Sequence, residues 1–139
     1  MEQVVIDASV VVKLFKEEEH SECALRLKDV YATGRLGIAV PSIMEYELIN
    51  ALKSNHFLES EIKLALSTIG DYAFETKELT HDAASLATDF AIRYDISAYD
   101  AAYLAISSLW GCVFYTSDEQ LIRKTKEVGF IKHIKDFND

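Results

Sequence analysis

The sequence predicts a three-layer α/β/α domain in which helices flank a short, mostly parallel central sheet. Short buried apolar runs alternate along the chain with longer segments of helical periodicity, a pattern typical of parallel sheets. The chain has 139 residues and is 50% hydrophobic, which is enough to build one core of ordinary size. We therefore expect a single domain over residues 1–139.

The first half of the chain contains two predicted strands. The run VVI at residues 4–6 predicts a buried strand, and the segment ASVVVKLFKEEE that follows Asp7 predicts a helix. A second helix is expected near residues 19–33, and the run IAV before Pro41 predicts another buried strand. Ser42 can cap a helix that extends to about residue 53.

The second half of the chain continues the alternation. Helices are expected at residues 60–71, 80–94, 97–110 and 118–127. The second of these is the clearest amphipathic helix, with apolar residues at positions 83, 86, 87, 90, 91 and 94. Gly111 ends the third, and the runs FET, CVFYT and FIKHI predict strands.

The composition restricts the classes of protein that need to be considered. The net charge of −9, from 14 basic and 23 acidic residues, argues against a domain that binds nucleic acid through a basic surface. This objection weakens if several acids share one site and a divalent cation neutralises them. Cys23 and Cys112 are interpreted as buried thiols in a reducing cytoplasm. No run approaches the ~18 uncharged residues of a membrane helix, and no secretion signal is recognised.

Three aspartates stand where a helix begins. Asp7 and Asp118 follow predicted strands and can serve as helix N-caps, and Asp100 lies three residues after Ser97, as in a capping box. Taken singly, each is better explained as a cap. However, the carboxyl ends of parallel strands meet at one edge of a sheet, where ligands bind. Asp7 and Asp118 should therefore share that edge, and Asp100 plausibly joins them.

Carboxylates gathered at one edge repel each other. Two unit charges ~4 Å apart cost roughly 4 kcal/mol at an effective dielectric constant of ~20, which capping alone does not justify. A hard divalent cation such as Mg²⁺ resolves the repulsion, because it prefers oxygen ligands and keeps several waters.

A fourth acid is expected from the helix in VPSIMEYELINALKS. Periodicity places Glu45 within the apolar stripe and Glu47 at its edge, with Asn50 one turn further on. Periodicity alone does not choose between the two glutamates.

Four segments together resemble a known family. They are VVIDASVVVKLF, PSIMEYELINAL, ISAYDAAYLAIS and VFYTSDEQL, and they occur in the order and spacing of the PIN-domain nucleases, in particular the VapC-type toxins of prokaryotic toxin–antitoxin systems. The resemblance extends from the first strand to GFIKHI, and it implies a PIN-like fold. Each segment alone is weakly specific, whereas the ordered set is strongly so.

The resemblance implies cleavage of RNA with Mg²⁺ or Mn²⁺, leaving a 3′-hydroxyl and a 5′-phosphate. The implied catalytic and metal-binding residues are Asp7, Glu47, Asp100 and Asp118, and the implied supporting residues are Ser9, Asn50 and Thr116. It also implies a homodimer, and an antitoxin partner whose tail enters the acidic cleft.

Other side chains are given structural interpretations. The basic residues after Asp118, namely Arg123, Lys124, Lys126, Lys132 and Lys135, are expected mainly on solvated surface, although they could hold phosphates. Tyr99 and Tyr103 flank Asp100 and are expected to pack rather than stack on bases. The histidines at positions 20, 56, 81 and 133 lack the spacing of a zinc helix and are expected at the surface or in the core.

The same residues also bear on alternative functions. An aspartate-nucleophile phosphohydrolase requires a second acid two residues after Asp7, where this chain has Ser9. A phospho-accepting receiver requires paired acids after the first strand, and these are missing. A catalytically inactive PIN-like domain that binds protein or RNA is the alternative to the ribonuclease, and the presence of all four acidic positions favours the enzyme.

Overall fold

The computed structural model describes residues 1–138, which form one five-stranded sheet in the order β3-β2-β1-β4-β5. The strands are β1 (Gln3–Ile6), β2 (Gly37–Pro41), β3 (Glu75–Lys77), β4 (Val113–Thr116) and β5 (Ile131–His133). Every pairing between neighbouring strands is parallel. The predicted α/β/α class is confirmed, and each predicted strand is present.

Seven α-helices lie within residues 1–138. They are α1 (Ala8–Val11), α2 (Ser21–Ala32), α3 (Met44–Ser54), α4 (Glu59–Tyr72), α5 (His81–Tyr94), α6 (Ala98–Trp110) and α7 (Glu119–Lys124). Two short 3₁₀ helices, Val12–Leu14 and Ile134–Asp136, complete the secondary structure in this part of the chain. No helix in the described residues combines the length and apolarity of a membrane span.

The strand order reverses direction at β1. The chain leaves β1 for β2 and β3 on one side, then returns to β4 and β5 on the other. Because crossovers between parallel strands are right-handed, the helices of the two halves cover opposite faces of the sheet. The crevice at the carboxyl ends of β1 and β4 is the switch point where ligands bind in sheets of this kind.

The core lies between the sheet and the helices on both faces. Helix α6 contacts β1, β2 and β4, and Tyr103 on that helix stacks on Phe114 of β4 with ring centroids 5.5 Å apart. Both rings are almost completely buried, so they fix the register of α6 over the sheet. Cys23 and Cys112 are buried free thiols, as predicted.

The first helix is much shorter than predicted. It ends in the 3₁₀ turn Val12–Leu14 instead of continuing through the acidic run EEE. Buried Lys13 explains the break, because its ammonium group donates to the Glu19 carbonyl at 2.6 Å and lies 3.2 Å from the Glu18 carboxylate. These bonds require the chain to fold back, and His20 then starts α2 with a φ of 67°.

Two further expectations about helices need correction. Ser42 does not cap α3, because the N-cap residue is Ile43 and it makes no side-chain capping bond. The apolar face of α5 is less covered than its periodicity predicts, since Ala83 is the one residue of that helix that is fully buried. Helix α5 therefore presents a partly open apolar face.

Candidate active site

Asp7 occupies the turn between β1 and α1. It is the N-cap of α1, and its Oδ1 accepts a hydrogen bond from the Val10 backbone at 3.3 Å. The Ser9 hydroxyl donates to Oδ1 at 2.5 Å, and the Thr116 hydroxyl donates to Oδ2 at 2.6 Å. The capping interpretation of Asp7 is thus correct, but it describes only one of its three interactions.

Burial dominates the electrostatics of Asp7. The residue is 7% exposed, and desolvation raises its pKa to about 6 even though the hydrogen bonds from Ser9 and Thr116 favour the ionised form. The negative charge of Asp100 adds to the increase. A carboxylate held in this way gains from any cation placed beside it.

A network of hydroxyl groups joins the ends of β1 and β4. Ser9 Oγ accepts from the Ser117 backbone N–H at 3.0 Å, and Thr116 Oγ1 accepts from the Asp118 N–H at 3.1 Å. The two hydroxyl oxygens are 3.3 Å apart. Ser9 and Thr116 therefore hold Asp7 in position and connect it to the turn that carries Asp118.

Asp118 lies two residues after Thr116, at the start of α7. It is exposed and caps α7, since its Oδ1 accepts from the Leu121 N–H at 3.0 Å. Its charge acts on Asp100 and raises the pKa of that residue.

Asp100 is in the first turn of α6, where Ser97 is the N-cap and accepts from the Asp100 N–H at 3.0 Å. Burial is the main cause of the raised pKa of Asp100, and the charge of Asp118 adds to it. The Ser97 hydroxyl and Lys124 act in the opposite direction. Lys124 is anchored nearby, with its ammonium group 2.8 Å from the Asp95 carbonyl oxygen.

Glu47 faces the same site from α3. Its pKa is raised by burial first, with a further contribution from Asp100, whereas the nearby Tyr103 hydroxyl lowers it. Within the described residues, Glu47 Oε1 and the Tyr103 hydroxyl are the buried side-chain polar atoms that make no hydrogen bond. The Tyr103 hydroxyl is close enough to influence the pKa of Glu47, but Glu47 Oε1 still has no well-formed partner and can accept from a water or bind a cation.

Glu45 and Glu47 are clearly distinguished by the structure. Glu45 is exposed and not within the apolar stripe, so its predicted burial is wrong. Glu45 lines a different cavity, together with Ile69 and Phe74. Glu47 instead lines a pocket with Asn50, Tyr46 and Tyr99, and the charge of Asp100 contributes to its raised pKa.

Asp100 is the centre of the acidic group. Its charge raises the pKa of both Asp7 and Glu47, and its own pKa is raised by Asp118. The group is open, because no three of these carboxylates bring oxygens within 4.8 Å of one another in residues 1–138. Oxygen donors at such spacing suit Mg²⁺ or Mn²⁺, because Mg²⁺ retains several waters.

Sequence reasoning missed two contributors to the site. Tyr103 was expected to pack, and it does, but its hydroxyl also lies under Glu47 and senses the charges of Glu47, Asp7 and Asp100. Ser117 was not considered, although its backbone and hydroxyl both bond Ser9. The expectation that Tyr99 packs is wrong, since that side chain is 62% exposed.

Comparison with known proteins identifies the family. Residues 4–127 match the sequence profile of the PIN domain. The chain therefore belongs to the PIN domain family, whose members are nucleases. A comparison with curated protein sequences gives no significant match.

Solved structures share the fold at low sequence identity. A chain of a toxin–antitoxin complex from Klebsiella pneumoniae is 19% identical with a TM-score of 0.66, over 94% of this chain and 97% of that one. Mycobacterium tuberculosis VapC20, a Sarcin-Ricin loop cleaving toxin, is 16% identical with a TM-score of 0.69, over 91% and 95%. A chain of Rickettsia felis VapBC2 bound to promoter DNA is 12% identical with a TM-score of 0.71, over 94% and 98%.

Proposed function

We propose that this chain, as one PIN-like domain over residues 1–139, is a Mg²⁺- or Mn²⁺-dependent endoribonuclease and the toxin of a VapBC-type toxin–antitoxin pair. The observation that carries the proposal is the convergence of Asp7, Glu47 and Asp118 on Asp100, with Glu47 Oε1 lacking a well-formed hydrogen bond. Membership in the PIN domain family and the fold shared with VapC toxins support it.

Asp7 and Asp100 are proposed to hold the catalytic cation. Both are largely desolvated and raise each other's energy when ionised, so a bound cation relieves an existing repulsion. When bound, a divalent cation of this kind neutralises charge on a phosphate and lowers the pKa of a coordinated water. Ser9 and Thr116 keep the Asp7 carboxylate in one orientation through their hydroxyl donors.

Glu47 and Asp118 are proposed to hold a second ion or to orient the attacking water. They approach Asp100 from α3 and from the end of β4, so they bracket the site from different elements. Asn50 lines the pocket beside Glu47 and can hydrogen-bond the same water or a phosphate oxygen. We expect hydrolysis to leave a 3′-hydroxyl and a 5′-phosphate, with no covalent intermediate.

The same proposal includes the partners and location. The neighbouring structures come from toxin–antitoxin complexes, and an antitoxin segment with an arginine would complement the acidic cleft. We propose that the protein acts in the cytoplasm as a homodimer. The partly open apolar groove between α5 and α6 supports self-association, since Ile92 on its edge is 80% exposed.

The test is RNA cleavage by the purified chain with Mn²⁺ and with EDTA, using transfer, ribosomal and messenger RNA. Asp7→Asn and Asp100→Asn should each abolish cleavage, whereas Asp89→Asn, which changes an exposed acid on α5, should not. The paired variants Glu47→Ala and Glu45→Ala test the fourth acid, and only Glu47→Ala should be inactive. Loss of activity in Glu45→Ala alone would contradict the assignment of Glu47.

An inactive PIN-like module that binds protein or RNA is the alternative. It predicts Mn²⁺ binding or RNA binding without strand cleavage under any of these conditions. Cleavage of RNA that is equally strong in wild type and in Asp7→Asn would indicate a contaminating nuclease and would count against the proposed function.

A further inference from the structure

A second group of metal-ligating side chains lies outside the acidic site, at the start of α2. His20, Glu22 and Cys23 each offer a donor atom, and these three atoms lie within 4.8 Å of one another. No other trio of histidine, cysteine or acidic side chains in residues 1–138 is grouped this closely. Zn–N, Zn–O and Zn–S bonds are about 2.0–2.3 Å long, so small side-chain rotations bring donors at this spacing onto one ion.

The donor types differ from those of the acidic site. One imidazole nitrogen, one sulfur and one carboxylate oxygen form a mixed set that suits Zn²⁺ and similar borderline ions. Magnesium prefers oxygen ligands alone, so it should favour the acidic residues. The two groups of residues should therefore select different ions.

The backbone leaves these side chains free to bind. His20 is the N-cap of α2 in a left-handed conformation, but its side chain makes no capping bond. Cys23 Sγ has one long contact, 3.9 Å from the Lys135 carbonyl oxygen. Among the described residues, Glu22 has no ion pair or hydrogen bond, and it is exposed, which gives an ion a path from solvent.

Neighbouring side chains orient the His20 ring. The Glu19 carboxylate lies 3.3 Å from His20 Nε2, and metal-binding histidines commonly have a carboxylate partner on one ring nitrogen. The ring also meets the imidazole of His133 edge to face, with centroids 5.3 Å apart. His133 is 6% exposed, so this contact is buried and holds the His20 ring from one side.

His133 itself is not a ligand in this arrangement. Its Nδ1 accepts a hydrogen bond from the Lys135 N–H at 3.0 Å, which places the proton of the neutral ring on Nε2. Neither nitrogen is then available to an ion. The protein thus supplies three ligands, and a fourth tetrahedral position is left for water.

We propose that His20, Glu22 and Cys23 bind one zinc-class ion at a site distinct from the acidic residues. The proposal gives His20 a role beyond the surface or core position expected from the sequence. The site lies near the same edge of the sheet as Asp7, because His133 pairs with Thr116 across β4 and β5. Its test must therefore separate the two metal sites.

Cobalt titration of the full chain separates them, because a thiolate ligand to Co²⁺ produces a charge-transfer band in the near ultraviolet and oxygen ligands do not. Wild type should bind one Co²⁺ with this band. Cys23→Ser should lose it, while Cys112→Ser, which changes the other buried cysteine, should keep it. Asp7→Asn should also keep it, since the acidic site contains no thiol.

Because Cys23→Ser changes a buried residue and could misfold, variants of the two less buried ligands are tested as well. Circular dichroism checks that each variant is folded. His20→Gln and Glu22→Gln should weaken Co²⁺ binding at least tenfold, whereas His56→Gln should not, although His56 also has a positive φ of 63°. Zn²⁺ added to the Co²⁺ form should erase the band. Absence of the band in wild type, or its persistence in folded Cys23→Ser or His20→Gln, would overturn the proposal.

Discussion

Asp7 has the surroundings for both a cap and the proposed chemical role, which sequence reasoning treated as alternatives. It caps α1, and it is also a buried acid whose neighbours Ser9 and Thr116 keep it ionisable. Capping uses only Oδ1, and Oδ2, which accepts from the Thr116 hydroxyl, keeps a second lone pair that can face a cation. The choice between a structural and a chemical role is therefore not exclusive at this residue.

In the metal-free protein, Asp7→Asn should raise the free energy of unfolding, and this gain should be larger above pH 6 than at lower pH. Burial raises the pKa of Asp7 from 3.8 to about 6, so the folded protein binds this proton more tightly than the unfolded chain does. The resulting contribution to the free energy of unfolding is fully present below pH 3.8 and is lost as the pH rises through about 6. The advantage of Asn, which keeps the N-cap acceptor, should therefore grow by about 1 kcal/mol between pH 5 and 7.5. Thermal unfolding in EDTA at both pH values measures it.

A gain that is the same at both pH values would contradict the raised pKa of Asp7. Asp89→Asn serves as the control, because that exposed acid is outside the site, and its effect on stability should be small at either pH.

Tyr103→Phe should leave the stability of the metal-free protein unchanged or raise it. Its buried hydroxyl makes no well-formed hydrogen bond, although it lies close enough to Glu47 to lower the pKa of that residue. Its removal therefore relieves a desolvation cost and loses at most a weak interaction. Tyr31→Phe is the matched control, because the Tyr31 hydroxyl donates to the Tyr72 carbonyl at 2.6 Å, and it should lose about 1 kcal/mol. Urea unfolding of both variants measures the contrast, and an equal loss in the two would contradict it.

At the residue level, sequence reasoning succeeded where a general rule of parallel sheets applies. Asp7 and Asp118 were placed at one edge because they follow strands, and the structure brings their turns together through Ser9 and Thr116. Periodicity did not choose between Glu45 and Glu47, and the prediction of Glu47 rested on the family resemblance. In the structure the two differ because Tyr103 and Asp100 act on the pKa of Glu47, whereas Glu45 is exposed.

At the level of elements, helix caps position the acidic residues. Ser97 accepts from the Asp100 N–H and fixes the first turn of α6, and Asp118 caps α7 itself. The N-terminal turns of α1, α6 and α7 therefore carry three of the four acids.

Ser97→Ala should reduce RNA cleavage and stability together. Loss of an N-cap costs about 1 kcal/mol, and the freed first turn of α6 should displace Asp100 enough to slow cleavage by roughly ten- to a hundredfold. Thr80→Ala removes the equivalent cap of α5, where Thr80 accepts from the Ala83 N–H at 3.2 Å. It should lose similar stability but keep its cleavage rate, measured at saturating Mn²⁺.

Equal rates in the two cap variants would show that Ser97 does not position Asp100.

The boundaries of α5 and α6 were predicted within one residue because both start at a Ser or Thr cap. The early end of the first helix was not predicted, because it depends on the tertiary bonds of Lys13 to the chain beyond it.

At the level of the whole molecule, the apolar groove between α5 and α6 is the surface proposed for self-association. It is lined by Ile43, Leu79, Ala83, Ala84, Ala87, Thr88, Ala91, Ile92, Ala98, Tyr99 and Ala102. The periodicity of α5 predicted an apolar face, but sequence could not show that the face stays partly open.

Ile92→Asp should convert a homodimer to monomers, because a charge buried in an apolar interface is strongly unfavourable. Leu64→Asp is the control, since Leu64 on α4 is similarly exposed but lies outside the groove. Size-exclusion chromatography with light scattering measures both. A wild-type monomer, or a dimer that survives Ile92→Asp, would contradict the proposed interface.

The bond between Ser9 and the Ser117 backbone joins positions 108 residues apart. Strand β4 must therefore have left the ribosome before the turn after β1 can close around Asp7. A nascent chain that stops short of β4 lacks Thr116 and Asp118 at the acidic site. The proposed activity can therefore begin only after synthesis has passed Ser117 and that segment has emerged from the ribosome.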